Sequence, residues 1–154
     1  MTFIIDIQRH DILIDEISDA ELISWATAAL KAHKPTAEIT LRISDCSEVQ
    51  ELNNRYRGKD KPTNVLSFPY KLPDSIAIDV PFLGDIILCP TVLIKEAKEQ
   101  GKSLEAHCAH LVIHGVLHLL GYDHIQPDEA SMMETEEIKL LSTLGYDNPY
   151  EVSV

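Results

Sequence analysis

Apolar and polar residues follow one another along this chain with two different periods, and each change of period marks a new element. Phe3 to Ile7 (FIIDI) is apolar and β-branched, the make-up of a strand. Ser18-Asp-Ala-Glu21 is a capping box, in which the Ser and the Glu each satisfy a backbone donor of the first turn. It predicts a helix to about Ala32, with Leu22, Trp25, Ala26, Ala29 and Leu30 on one side. Beyond Pro35 the period drops to two. Ile39, Leu41 and Ile43 alternate with polar residues between Glu38 and Ile43, a second and half-exposed strand. Ser47-Glu-Val-Gln50 has the form of another capping box and predicts a short helix to about Tyr56.

The second half of the chain is punctuated by proline and glycine. A basic loop, Arg57 to Pro62, leads into a third strand, Asn64 to Phe68, closed by Pro69. Tyr70 to Pro81 has two prolines and no period, so it reads as a surface loop. Leu83 to Cys89 is a fourth strand stopped by Pro90, and Thr91 to Gln100 a helix ending on Gly101. Ser103 caps the next helix, which runs to Leu120. Pro127 opens the last one, carried by Met132, Met133, Ile138, Leu140, Leu141 and Leu144 to Gly145. The helix after Ser103 is apolar nearly all round, through Leu104, Ala109, Leu111, Val112, Ile113, Val116, Leu117 and Leu119, and so belongs in the core. The expected fold is α+β: one domain over residues 1–154, with a mixed four-stranded sheet and about five helices.

Composition narrows the class of protein. A chain of 154 residues with 45% hydrophobic content suits one globular domain. The apolar region from Ala109 to Leu120 is too short and too polar to span a membrane, and MTFIIDIQRHD reaches Asp6 too soon for a signal peptide. Cys46, Cys89 and Cys108 cannot all pair and follow no C-x-x-C spacing, so a reduced, cytoplasmic protein is expected. The net charge of −12 argues against a broad basic surface for nucleic acid. Against that background Arg55 to Lys61 (RYRGKDK) packs four cations and one acid into seven residues.

The chemistry gathers in HGVLHLLGYDH, residues 114–124. His114 and His118 are four apart, one above the other on a helical face. Gly121 lets the chain leave the helix, and the turn at Tyr122-Asp123 brings His124 back toward the pair. Three imidazoles converging in this way suit a three-His metal site with one open position. A single His on an apolar helix is usually a hydrogen-bonded core residue, but three in one core would each need a partner, and an ion satisfies them together. Zinc suits the set best, and nickel, copper or iron also accept imidazole. The spacing H-x-x-x-H-x-x-G-x-x-H is that of the metzincin proteases, except that Gly115 stands where those enzymes carry their general-base Glu. Asp123 and a substrate phosphate oxygen are the alternatives for taking the proton. Gly115 itself costs a helix about 1 kcal/mol relative to Ala, which implies a close approach at that point. His107 and His110 fall near the same stripe, in the cleft or behind the ligands, and Asp85 is a candidate to face the same cleft.

A cationic loop upstream supplies the counterpart. The guanidinium of Arg57 can bind a phosphodiester bidentately and stabilise charge developing there, with Arg55, Lys59 and Lys61 guiding the rest of a strand. With the protease base missing, a phosphate-binding role for this loop outweighs an ordinary solvated turn.

These blocks carry a resemblance. HGVLHLLGYDH, together with LNNRYRGKDKPTNVLSFP (Leu52 to Pro69), FLGDIILC (Phe82 to Cys89) and LGYDNPY (Leu144 to Tyr150), resembles the YbeY family of bacterial metal-dependent endoribonucleases. The resemblance implies a single-strand-specific RNase that matures the 3′ end of small-subunit ribosomal RNA and acts in ribosome quality control. It implies a zinc-like ion on His114, His118 and His124, nickel being a second option, with Arg57 and His114 catalytic. It implies contacts with the small ribosomal subunit and its assembly GTPase; neither a membrane nor DNA is an expected partner. Two rivals stand beside this reading: a non-catalytic ribosome-assembly factor with a structural metal, and a metalloprotease. The missing Glu speaks against the protease, and a structural zinc would normally be closed by four protein ligands.

Overall fold

The computed structural model describes residues 2–9, 17–70, 80–123 and 125–150. In chain order these form β1 (Thr2–Arg9), α1 (Asp19–Lys31), β2 (Thr36–Ile43), α2 (Cys46–Arg57), β3 (Val65–Pro69), β4 (Phe82–Leu88), α3 (Pro90–Gln100), α4 (Leu104–Leu119) and α5 (Pro127–Thr143). The strands make one sheet in the order β1-β2-β4-β3. β1, β2 and β4 run parallel, and β3 closes the edge antiparallel to β4. The α+β expectation, with four strands in a mixed sheet and five helices among the described residues, is met. No helix among them is long and apolar enough to cross a membrane. Most of the expected loop between Tyr70 and Pro81 lies outside the described residues.

Local chemistry explains most boundaries. Ser18 caps α1 with both halves of the box in place: its hydroxyl accepts from the Glu21 amide at 3.1 Å, and the Glu21 carboxylate accepts from the Ser18 amide at 3.1 Å. Gly101 ends α3 in the left-handed conformation. α2 departs from the expectation. Its cap is Asp45, which accepts from the Glu48 amide at 2.8 Å, and Ser47 lies within the first turn. An acidic cap two residues upstream takes the role, while the Gln50 amide reaches the Asp60 side chain at 3.0 Å instead of turning back. The helix also runs one residue past Tyr56, so Arg55 and Arg57 occupy its last turn.

α4 is the spine. Ten of its sixteen residues are buried, as an all-round apolar helix requires. It packs with α1 over one face of the sheet, on Ile39, Leu41, Ile43, Ile86 and Leu88, while Val49 of α2 meets Leu66, Ile87 and Cys89 on the other face. Two glycines set how closely the layers meet. A Cβ on Gly115 would stand 3.0 and 3.3 Å from the Ile86 methyls and 3.3 Å from Ser67 Oγ, the same hydroxyl that donates to the Gly115 carbonyl at 3.2 Å. Gly84, at φ +144°, lies at a register shift between β2 and β4, and a Cβ there would be 2.2 Å from the Phe68 carbonyl oxygen. The close approach expected at Gly115 is therefore the contact of α4 with the sheet.

Candidate active site

His114 and His118 sit one turn apart on α4, His114 reaching Glu137 of α5 and His118 the turn beyond Leu120. Each imidazole is anchored through its Nδ1. His118 Nδ1 lies 3.1 Å from the Tyr122 carbonyl, which can only accept, so this nitrogen carries the proton. His114 Nδ1 lies 2.7 Å from Oε1 of Glu137, a fully buried carboxylate on α5. Burial alone would raise the pKa of Glu137, but hydrogen bonds from His110, His114 and Tyr150 overcome it and pull it down to about 2. The carboxylate is ionised, so His114 Nδ1 is also the protonated nitrogen. The other two nitrogens then turn lone pairs toward each other: His114 Nε2 and His118 Nε2 are 3.0 Å apart.

That pair tests whether the residues fit an ion. Both Nε2 atoms can lie at the ~2.0–2.1 Å of a zinc–imidazole bond from one common point. Both rings are held in the right tautomer by an acceptor behind them, a carboxylate for one and a backbone carbonyl for the other, as metal-ligating histidines commonly are. The donor set fits. His124, the third residue of the expected triad, lies outside the described residues, and among those described no group of three or more His, Cys, Asp or Glu is arranged to hold an ion.

The histidine pair opens on a cavity of about 1070 Å³ whose walls include Arg57, Asn64, Ser67, Phe68, Tyr122 and Asp123. The structure thus brings Arg57, His114 and His118 to one cleft from α2 and α4, with Asp123 on its rim. It does not bring the other cations there. Arg55 points back along α2 and pairs with Glu51 at 3.1 Å. Lys59 and Lys61 belong to a turn folded against α2, where Asn53 Nδ2 donates to the Lys61 carbonyl at 2.8 Å. None of the three lines the cavity. Asp85 is corrected too: Ile86 beside it faces α4, so strand alternation turns Asp85 to the opposite side of the sheet, where partial burial raises its pKa against a hydrogen bond from Thr40.

His107 and His110 separate in role. His107 is buried and meets Glu96 of α3 at 2.9 Å, which makes it a core residue. His110 lies behind the histidine pair, 3.3 Å from Glu137 Oε2 and 3.2 Å from the Tyr150 hydroxyl. Tyr150 donates to Glu137 Oε2 at 2.5 Å, and burial with this bond raises its own pKa. Glu137 is the residue the motif reading missed. Its signal was present: the buried positions of α5 are Met133, Glu137, Leu140 and Leu141, so a carboxylate interrupts an apolar stripe at helical spacing.

Residues 5–145 match the family model described as Endoribonuclease YbeY. The chain is 51% identical over 152 residues to proteins named Endoribonuclease YbeY from Legionella pneumophila strains Corby, Lens and Paris, covering 99% of this chain and 96% of each relative. The solution structure of TM1509 from Thermotoga maritima has the same fold, with a TM-score of 0.58 at 24% identity and 92% of each chain covered. The chain belongs to the YbeY endoribonuclease family, and its enzymatic class is hydrolase.

Proposed function

We propose that this member of the YbeY family is a single-strand-specific, metal-dependent endoribonuclease that cuts a phosphodiester held between Arg57 and the ion of His114, His118 and His124. The observation that carries the reading is the pair of Nε2 atoms 3.0 Å apart on the wall of the cavity that Arg57 also lines. When bound, a divalent ion such as zinc supplies Lewis acidity to the scissile phosphate and to the attacking water. The protein's own residues do the rest. Glu137 and the Tyr122 carbonyl hold the two imidazoles in register. Arg57, exposed at the end of α2, offers a planar fork to the non-bridging oxygens and stabilises the charge that builds on them. Asp123, which lines the same cavity, and a phosphate oxygen of the substrate are the alternatives for taking the proton.

The strongly acidic chain offers little to an RNA duplex in bulk, which favours delivery of the substrate by a partner. The resemblance to the YbeY family extends the reading to maturation of the 3′ end of small-subunit ribosomal RNA and to ribosome quality control, in the cytoplasm, with the small subunit and an assembly GTPase as partners. The testing experiment is cleavage of single-stranded RNA by the parent, Arg57→Ala and His114→Ala proteins, with and without chelator. Loss of cutting in both variants and with chelator is expected; folded variants that cut as fast as the parent would overturn the mechanism. Chelator-sensitive digestion of casein would instead favour the protease, and a bound metal without RNA cutting the non-catalytic assembly factor.

A further inference from the structure

Apolar side chains left in water are unevenly placed on this protein. Among the described residues the four most exposed large hydrophobics are Ile125 at 75%, Met132 at 65%, Tyr56 at 61% and Tyr70 at 55%. Three of them, Ile125, Tyr56 and Tyr70, line the cavity that holds Arg57, His114 and His118. Single apolar residues on a surface need no explanation, but a gathering of them around one polar cleft marks a binding surface. The two tyrosines are also propped from behind. Tyr56, in the last turn of α2, meets Phe68 of β3 edge-on, with centroids 5.2 Å apart and planes at 65°. Tyr70, just past β3, leans on Phe82 of β4 at 5.8 Å and 58°. Each phenol ring is held by a phenylalanine of the sheet and still keeps more than half of its surface in solvent.

We propose that Tyr56 and Tyr70 are stacking platforms for unpaired nucleobases of the RNA strand whose phosphodiester lies against Arg57, an inference that rests on the nuclease reading above. The cleft carries a guanidinium beside exposed aromatic rings, a combination that fits a polyanion with flat, apolar appendages. The protein's net charge of −12 works against phosphate affinity at long range, so contact stacking must supply what electrostatics does not. Stacking also explains selection of single strands, because bases inside a helix already have both faces covered.

The test uses a short fluorescent oligoadenylate and the same strand carrying abasic sites, with binding followed by anisotropy and cutting by gel. Tyr56→Ala and Tyr70→Ala are each expected to weaken binding of the intact strand by roughly tenfold, the order of one lost stacking contact. Tyr56→Phe and Tyr70→Phe should restore near-parental binding, since the ring and not the hydroxyl makes the contact. On the abasic strand the parent should lose both contacts, roughly a hundredfold, and each single alanine variant the roughly tenfold of the platform it keeps. Alanine variants that bind like the parent would overturn the proposal, as would a parent that binds both strands alike. Should the alanine proteins fail to fold, the abasic comparison on the parent and the phenylalanine variants still decides it. A parent that cuts the intact strand yet ignores the missing bases sinks the stacking alone, whereas a parent that does not cut RNA at all sinks the nuclease reading with it.

Discussion

Replacing Glu137 by Gln keeps the shape of the side chain and removes its charge, and the contacts around it set the cost. The carboxylate is fully buried and accepts from three groups: His114 Nδ1 at 2.7 Å, His110 Nε2 at 3.3 Å and the Tyr150 hydroxyl at 2.5 Å. An amide can accept on its oxygen alone, and its NH₂ would confront at least one of these donors. Hydrogen bonds to a buried charge are each worth about 1.5–3 kcal/mol, so the variant should lose stability on that order. Glu137→Ala, which leaves every donor without its acceptor, should lose about 3–5 kcal/mol. The effect on the ion is separate. Without the carboxylate behind it, His114 is a weaker base and free to rotate, and zinc affinity should fall about 10- to 100-fold. Titration of metal-free protein with zinc against a chromophoric chelator measures this, and urea unfolding measures the stability. A Glu137→Gln protein with a lowered urea midpoint and undiminished zinc affinity would refute the ligand-orienting role. It would reduce Glu137 to a structural group.

Other outcomes depend on the same geometry. Gly84→Ala places a methyl 2.2 Å from the Phe68 carbonyl oxygen at a φ of +144°, and should cost more than about 3 kcal/mol in urea unfolding. Cys108 and Cys89 should resist iodoacetamide at pH 8 in the folded protein and react once it is unfolded. Burial raises their pKa values to about 12 and about 11, so the thiolate is scarce below those values, and mass spectrometry reads the result. Arg57→Lys keeps the charge but loses the fork, and should slow RNA cutting by roughly tenfold or more with no change in thermal stability, because the side chain is exposed.

Much of the architecture was legible because it is written locally. Alternation at Ile39, Leu41 and Ile43, the box at Ser18 and Glu21, and Gly101 after α3 are features of neighbouring residues, and the elements they predict appear within two or three residues of the expected ends. What could not be read locally depended on distant partners. Ser47 lost the cap of α2 because Asp45 and Asp60 offered better arrangements to the same groups. Arg55 and the two lysines looked equivalent to Arg57 in a run of four cations, yet the end of a helix and the turn after it aim residues in different directions. Asp85 could be placed on a strand but not on a face of the sheet, since the side it shows is decided by what packs on Ile86. Glu137 was hidden for the same reason. Its place in the apolar stripe of α5 announced a buried charge, but only the packing of α5 against α4 names the histidines that donate to it.

The glycine between the histidines shows how packing and chemistry meet in one residue. In a helix the residue after His114 points about 100° away from it, and here that direction leads into the sheet, where Ile86 and Ser67 stand 3.0 to 3.3 Å from a hypothetical Cβ. A Glu at this position would start against Ile86 and Ser67 in a filled layer, and crowding a carboxylate in there would cost several kcal/mol. Close packing of α4 on β4 therefore works against a side-chain base after the first histidine. Under the nuclease reading proposed above, the proton acceptor comes from elsewhere, either from Asp123 of the cleft wall or from the substrate itself. On that reading a phosphodiester carries such an oxygen beside the bond to be cut, whereas a peptide carries no comparable anionic base, and Gly115 fits the first substrate better than the second.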